Sequence, residues 1–495
     1  MDIYTAIQTL LNRAVQLNLM VKEDEIYSRN QMMAILHLEE FPLAAEERKN
    51  AAIPDLLEEM AVYASEKGIV GDLDIDKEIL SSKIMNVLIK KPSEVNGTFY
   101  EKYQQDPKAA TEYFYRLSQN SNYIQMKHIH KNINYKLESQ FGELDITINL
   151  SKPEKDPRQI ALEKEKRQAL SYPRCLLCVE NEGYNGRIGH PARSNHRTIR
   201  LELTDERWHF QFSPYVYYNE HCIVLSEEHR DMKITKGTFS RLLEFVEKFP
   251  HYFIGSNADL PIVGGSILNH DHYQGGRYEF AMENAAEEFR FTMDGFPEVI
   301  AHTLKWPMSV IRLRSENKEE LMDAAADILE KWRLYSDEGA EIIAYSGETP
   351  HNTITPIARW KDGHFELDLV LRNNRTNDEH PDGIFHPHRD VHHIKKENIG
   401  LIEVMGLAVL PARLKAELEE IEAYLLGGTK KVQGYHSSWA NEIKARYDAS
   451  IGKETVQGIL RKELGVKFLR TLEDAGVFKR DLQGQQAFRR FCLGL

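Results

Sequence analysis

The sequence predicts an α+β chain: two related halves of mostly antiparallel sheet, with helical N- and C-terminal regions added. Three features point to it. Short β-branched and aromatic runs at 198–203, 208–212, 215–218 and 221–225 are separated only by turn residues, a spacing suited to antiparallel pairing. A similar order of helix, strands and polar loop recurs after residue 301. The two ends of the chain carry helical periodicity instead. The expected divisions are a helical region 1–140, a first half 141–300, a second half 301–430 and a helical region 431–495.

Asp2 can cap a helix whose inward face is Ile3, Ile7, Leu10, Leu11, Ala14 and Leu17. Further helical patterns run through 31–39 and 53–65, with Pro54 acceptable in a first turn. Asp106 and Pro107 open another, to residue 117. Nothing in this region has the look of chemistry, and packing or oligomerisation is the plainer role. Leu144, Ile146, Ile148 and Leu150 alternate with Asp145, Thr147 and Asn149, as in a half-buried strand. A charged loop at 151–157 leads into a helix to about 170. After the short strands, 238–249 is amphipathic, with Phe239, Leu242, Leu243, Val246 and Phe249 inward. A strand near Phe253 and the loop 256–259 follow. In the second half come a helix, Lys318–Leu334, strands at 353–359 and 364–371, and a loop bearing His380, His386, His388, His392 and His393. A helix at 411–426 and a helical, charged stretch 437–495 end the chain.

Hydrophobic residues at 42% and charged residues at 28% are those of an ordinary globular protein. A net charge of -13 disfavours a general nucleic-acid binder. No basic segment precedes an apolar run at the N-terminus, so no signal peptide is expected. The most apolar run, 399–410, is too short for a bilayer and carries Glu403. Four cysteines (Cys175, Cys178, Cys222 and Cys492) are too few for a disulfide framework, and a reducing cytoplasm is the expected compartment.

The chemistry-bearing stretch is Gly264-Gly265-Ser266-Ile267-Leu268-Asn269-His270-Asp271-His272-Tyr273-Gln274-Gly275-Gly276. If it is extended, His270, His272 and Gln274 share one face, and Asp271 and Tyr273 take the other. An imidazole supplies a nucleophile near neutral pH, and a neighbouring amide can hydrogen-bond a phosphoryl oxygen as charge develops on it. The plainer alternative is a polar strand end with surface histidines. The flanking glycines, which permit close backbone approach, count against it. Cys175 and Cys178 have the spacing to share one tetrahedral zinc, with two more ligands drawn from elsewhere among 20 histidines. Two incidental buried cysteines are the alternative. The basic loop 189–197, with Arg193, Asn195 and Arg197, offers donors to phosphate or sugar hydroxyls, or is simply a solvated loop.

These residues resemble the galactose-1-phosphate uridylyltransferases of the longer, second type, in the histidine-triad superfamily. The likeness covers 172–276, with Pro350-His351-Asn352-Thr353-Ile354-Thr355-Pro356 and the run 394–411 also similar. It implies two histidine-triad-like halves. The shorter type reads His-Pro-His-Gly-Gln, with the second histidine as nucleophile. That implies His272 as nucleophile, His270 as the first histidine and Gln274 as the phosphate-contacting amide, with Asp271 replacing proline and Tyr273 replacing glycine. It further implies a structural zinc on Cys175, Cys178, His229 and His270, and Asn257 as the family's asparagine before the glycines. Ser266, Arg193, Asn195 and Arg197 are the other expected substrate contacts. The shorter type's iron site has no residue-by-residue match.

The activity so implied is transfer of a uridylyl group from UDP-glucose to galactose-1-phosphate through a uridylyl-histidine, giving UDP-galactose and glucose-1-phosphate in the Leloir pathway of galactose metabolism. UDP-glucose, UDP-galactose and hexose-1-phosphates are the expected partners, without nucleic acid or membrane, and a homodimer is the expected assembly. Two rivals remain. A histidine-triad dinucleotide hydrolase or phosphorylase would have no reason for the long helical additions. A zinc-stabilised, non-enzymatic binding module would not need Gln274 paired with His272.

Overall fold

Asp2 accepts hydrogen bonds from the backbone N–H groups of Tyr4 and Thr5 and starts the helix Ile3–Gln16, which buries Ile3, Ile7, Leu10, Leu11 and Ala14. This computed structural model describes residues 2–42, 48–151, 171–265, 267–428 and 431–495. Ser266, the helix expected to reach residue 170, and the loop before it beyond Ser151 lie outside the described residues. The chain forms two compact units. One comprises 1–131, 151–216 and 220–229; the other comprises 132–150, 217–219 and 230–495. The class is α+β, with mostly antiparallel sheet and helical ends. Among the described residues no helix is long and apolar enough to cross a membrane.

In the first unit the helix expected at 31–39 runs Glu25–Ile35, and His37, with φ at 54°, lies just beyond its end. Asp106 caps Pro107–Asn120 through the Lys108 N–H. Helices Asp74–Leu88 and Pro92–Tyr103 are additions to the sequence reading. Strands Ile199–Leu203, Glu206–Phe212 and Cys222–Ser226 pair antiparallel in that order. Thr204 and Asp205, at φ 50° and 60°, make the two-residue turn between the first pair. The run 215–218, expected as a strand, is a turn instead: Pro214 precedes it, Val216 sits at φ 29°, and Ser213 N–H bonds the His221 carbonyl at 2.8 Å. Asn96, from the helix Pro92–Tyr103, covers the edge strand. It donates to Thr198 O at 2.9 Å and accepts from Arg200 N at 2.8 Å, so these edge groups have an in-protein partner.

In the second unit seven strands form an antiparallel array in the order His272–Gly276, Phe253–Gly255, Asn352–Lys361, His364–Asn373, Val310–Ser315, Ile300–Leu304, Glu287–Phe291. Helices Lys236–Lys248 and Lys318–Leu334 bury apolar stripes that include Phe239, Leu242, Leu321 and Ile328. The last three strands were not expected from the sequence; in Val310–Ser315 the reason is a buried charge, Arg312. Arg312 pairs with Asp368 at 2.6 Å, and Arg359 with Glu366 at 2.5 Å and Asp368 at 2.8 Å. A smaller sheet holds Ile133–Ser139 and Gly142–Ile148, with Leu407–Leu410 added parallel to the latter. The helix expected at 411–426 is Leu414–Leu425. Ser437–Tyr447, Val456–Ala475 and Leu482–Leu493 follow.

Candidate functional site

The strand begins at His272, so the expected extended run from His270 is shorter than the pattern implied: His270 lies before it, in a bend, fully buried. His272 and Gln274 still alternate with Tyr273 and share a face. Tyr273 points the other way, to the helix Lys236–Lys248, where Arg241 Nε donates to its hydroxyl at 2.8 Å. Register extends the reactive face. Gln274 lies opposite Gly255, Gly255 opposite Ile357, and Ile357 opposite Asp368, which pairs with Arg312. The buried ion cluster therefore braces the same row of the sheet that carries Gln274.

His272 is 6% exposed. Its Nδ1 lies 2.8 Å from the His270 carbonyl oxygen. A carbonyl only accepts, so Nδ1 carries the proton and Nε2 keeps a lone pair. Burial pulls its pKa down to about 4, against the hydrogen bond to His270, which pulls the other way. The ring is neutral at pH 7 and has one free nucleophilic nitrogen.

Asp271 and Arg230, which sequence reading passed over, hold the stretch in place. The Asp271 N–H donates to Arg230 O at 2.8 Å, and Arg230 Nε reaches the Asp271 carboxylate at 3.3 Å. Met232 N–H donates to Leu268 O at 2.8 Å. The signal was present: each histidine read as a ligand is followed by a charge, and the two charges have opposite sign. Asn257 is buried, and its Oδ1 accepts from Leu401 N–H at 2.9 Å. A Cβ on Gly265 would lie 2.7 Å from Asn257 Nδ2, and one on Gly264 would lie 2.5 Å from Ala258 O. Both positions therefore require glycine.

In the first unit, the ligand atoms of Cys175, Cys178 and His229 lie within 4.8 Å of one another. The two sulfurs are 3.5 Å apart, and Cys178 Sγ is 3.1 Å from His229 Nδ1. Asn181 Nδ2 fixes the turn by donating to the carbonyls of Cys175 and Cys178 at 2.9 and 2.8 Å. Burial, and then the neighbouring Cys175 thiol, push the Cys178 thiol up to about 12. Two thiols and an imidazole so packed are a donor set for a soft cation, which would stabilise the thiolate that burial disfavours.

The basic loop divides. Arg193 holds its guanidinium over the Tyr123 ring at 5.4 Å and is half-buried. Asn195 is buried, accepting from Ser82 Oγ and donating to Ser121 O, both at 2.8 Å. Arg197 is buried too, and its guanidinium donates to the carbonyls of Lys90, Ser194 and His196 and to Asn86 Oδ1. The last two side chains are engaged with the protein itself.

The family pattern for the galactose-1-phosphate uridyl transferase N-terminal domain matches residues 18–231, and that for its C-terminal domain matches residues 244–441. A galactose-1-phosphate uridylyltransferase of Clostridium perfringens (strain 13 / Type A) is 51% identical over 99% of this chain and 98% of its own. One of Ligilactobacillus salivarius (strain UCC118) is 56% identical over 90% of this chain and 89% of its own. A solved yeast Ap4A phosphorylase, Apa2, superposes with a TM-score of 0.32 at 12% identity, covering 60% of this chain and 88% of that one. The chain belongs to the galactose-1-phosphate uridylyltransferase family.

Proposed function

We propose that the protein moves a uridylyl group from UDP-glucose to galactose-1-phosphate, with His272 as the nucleophile. The observation that carries this reading is the His272 Nδ1 contact with the His270 carbonyl, which leaves Nε2 with its lone pair in a neutral, buried ring. Nε2 attacks the α-phosphorus of UDP-glucose. The bond from that phosphorus to the bridging oxygen breaks, and glucose-1-phosphate leaves with the electron pair. A phosphate oxygen of galactose-1-phosphate then attacks the same phosphorus. The P–N bond breaks, and its electrons return to Nε2. Gln274, two residues on and on the same face, donates to a non-bridging oxygen as charge builds there. A hexose phosphate leaves without needing a strong general acid.

His270 completes the metal set with Cys175, Cys178 and His229 in this reading. Chain connectivity supports it: Arg230 and Asp271 are joined by a backbone hydrogen bond and an ion pair, and His229 and His270 are their immediate neighbours. Zinc on four protein ligands would have no open position, so it would supply rigidity to the backbone beside His272 rather than a hydroxide. Arg193, half-buried where Asn195 and Arg197 are buried, is the member of the basic loop proposed to meet substrate, and Asn257, beside Gly265, is the second proposed contact.

The test is incubation with UDP-glucose and no acceptor. A uridylyl mass increment on the His272 peptide is expected, with release of glucose-1-phosphate. An unmodified protein, or an adduct on another residue, would overturn the assignment.

A further inference from the structure

The loop 257–265 leads into the reactive stretch, and groups from several other elements hold it. Leu401 N–H donates to Asn257 Oδ1 at 2.9 Å. Asp259 accepts from Thr353 Oγ1 at 2.5 Å and from Ile234 N–H at 2.9 Å. Asn374 Nδ2 donates to Pro261 O at 3.3 Å, and Asn398 Nδ2 donates to Gly264 O at 3.2 Å. Between these anchors Ile262 sits at φ 72°. A β-branched residue keeps that conformation only where surrounding contacts over-determine it.

We infer that Asn398 is a positioning residue for uridylyl transfer, acting by locking the orientation of the Gly264–Gly265 peptide. The inference rests on the reading of function above. That peptide is trans, so its C=O and N–H point in opposite directions. Holding the Gly264 carbonyl on Asn398 therefore turns the Gly265 N–H to the opposite side, at a position where no side chain can stand. A backbone N–H set in advance can meet developing phosphoryl charge without reorganising; one on a freely turning Gly–Gly peptide cannot.

Asn398 is itself held in one orientation. The Gly264 carbonyl accepts only, so the NH2 end must face Gly264; the neutral His386 ring, with Nδ1 3.2 Å from the Pro387 carbonyl and Nε2 3.3 Å from Asn398 Oδ1, has one proton for these two acceptors. One residue on, the Ile399 carbonyl accepts from Nη2 of Arg372, which is 1% exposed, at 2.9 Å. The segment is thus pinned to the strand His364–Asn373. The segment around Asn398 thereby acts on the reactive stretch from a distance, through the Gly264 carbonyl that Asn398 holds.

Asn398→Asp is the direct test, because it keeps the shape and the acceptor but loses the donor. Expected are a kcat lower by roughly 10- to 100-fold, a KM for UDP-glucose within about twofold of the parent, and faster deuterium exchange across 257–268. The variant-to-parent ratio of kcat should rise as pH is lowered from about 6.5 to about 4.5, toward the ordinary carboxylate range, since a protonated carboxyl can again donate to Gly264 O. Asn398→Ala should lower kcat in the same direction, and Asn398→Ser, which retains a hydroxyl donor, should keep more of it. That pair decides the matter if Asn398→Asp fails to fold. Parent-like kcat in a folded variant, a loss confined to KM, or a ratio flat in pH would overturn the inference. The parent's own transfer rate tests the reading of function separately: a parent that transfers nothing sinks that reading, while exchange in 257–268 still reports on the brace.

Discussion

Asp271 and Arg230 are joined twice, by a 2.8 Å backbone hydrogen bond from the Asp271 N–H to the Arg230 carbonyl and by a 3.3 Å ion pair between their side chains. The Asp271 carboxylate is nearly fully buried, whereas the Arg230 side chain is about one-third exposed. Replacing Arg230 by Met weakens the pairing of a buried carboxylate, a cost of about 1–3 kcal/mol. Urea unfolding should show that loss, and the purified variant should carry less zinc than the parent because the neighbouring histidines are no longer held. A variant with unchanged midpoint and unchanged metal would show that the backbone hydrogen bond suffices.

Arg193 and Arg197 sit four residues apart in one basic loop but should behave oppositely. Arg197 serves three carbonyls and one amide, so Arg197→Ala leaves buried acceptors unmatched and should lower the thermal midpoint. Arg193 lies over Tyr123 and makes one 3.3 Å hydrogen bond, to the neighbouring Ala192 carbonyl, and Arg193→Ala should instead raise KM for at least one substrate with the midpoint near the parent's. Steady-state kinetics and thermal unfolding on the same two preparations separate the roles.

Metal removal gives a third expectation. Freshly purified protein should contain about one zinc per chain. Cys175→Ser, or a chelator added during unfolding, should lower metal content and thermal stability together, because structural metal binding is coupled to folding. Active protein without zinc would count against the four-ligand site.

Acid should destabilise the fold through histidines buried in neutral form. Burial, with Arg193 nearby, holds His196 well below its ordinary value, and burial, with Arg187 and Arg193, holds His190 at about 4. The unfolded chain takes up a proton near pH 6.5 and the folded chain does not. This stability is therefore complete above about 6.5 and falls as pH drops toward the folded values, at about 1.4 kcal/mol per pH unit for each ring. Urea midpoints at pH 7.5 and 5.5 measure it. His196→Gln, which can keep a side-chain hydrogen bond to Gln211, should flatten the slope by one proton's share.

Where polarity and periodicity agreed, the sequence was readable. Lys318–Leu334 has the expected limits, because Asn317 caps it and its apolar stripe is unbroken. Val310–Ser315 was unreadable for the opposite reason: Arg312 is a core residue, made acceptable by Asp368 on the next strand, a partner no local pattern announces. The site divides the same way. His272 and Gln274 follow from alternation within one strand. The supports of the loop that leads into it come from Asn398, Leu401 and Thr353, more than 70 residues on, and appear only once the chain is folded.

Gln274 offers the sharpest test of the chemistry itself. It shares a face with His272, and its strand is backed by the row running through Gly255, Ile357 and Asp368 to Arg312. A backbone so braced should keep its position when the side chain is removed, so Gln274→Ala should fold, hold metal and still bind UDP-glucose. It should nonetheless form the uridylyl-histidine more slowly by on the order of 10² to 10³, the expected loss for one donor to developing oxyanion charge. Single-turnover release of glucose-1-phosphate measures that step directly. His272→Gly should release none while retaining zinc, because its imidazole is not among the proposed ligands, whereas His270→Gly should lose both. A Gln274→Ala enzyme that turns over like the parent would remove the amide from the mechanism and leave His272 with the backbone N–H groups as its partners in the transition state.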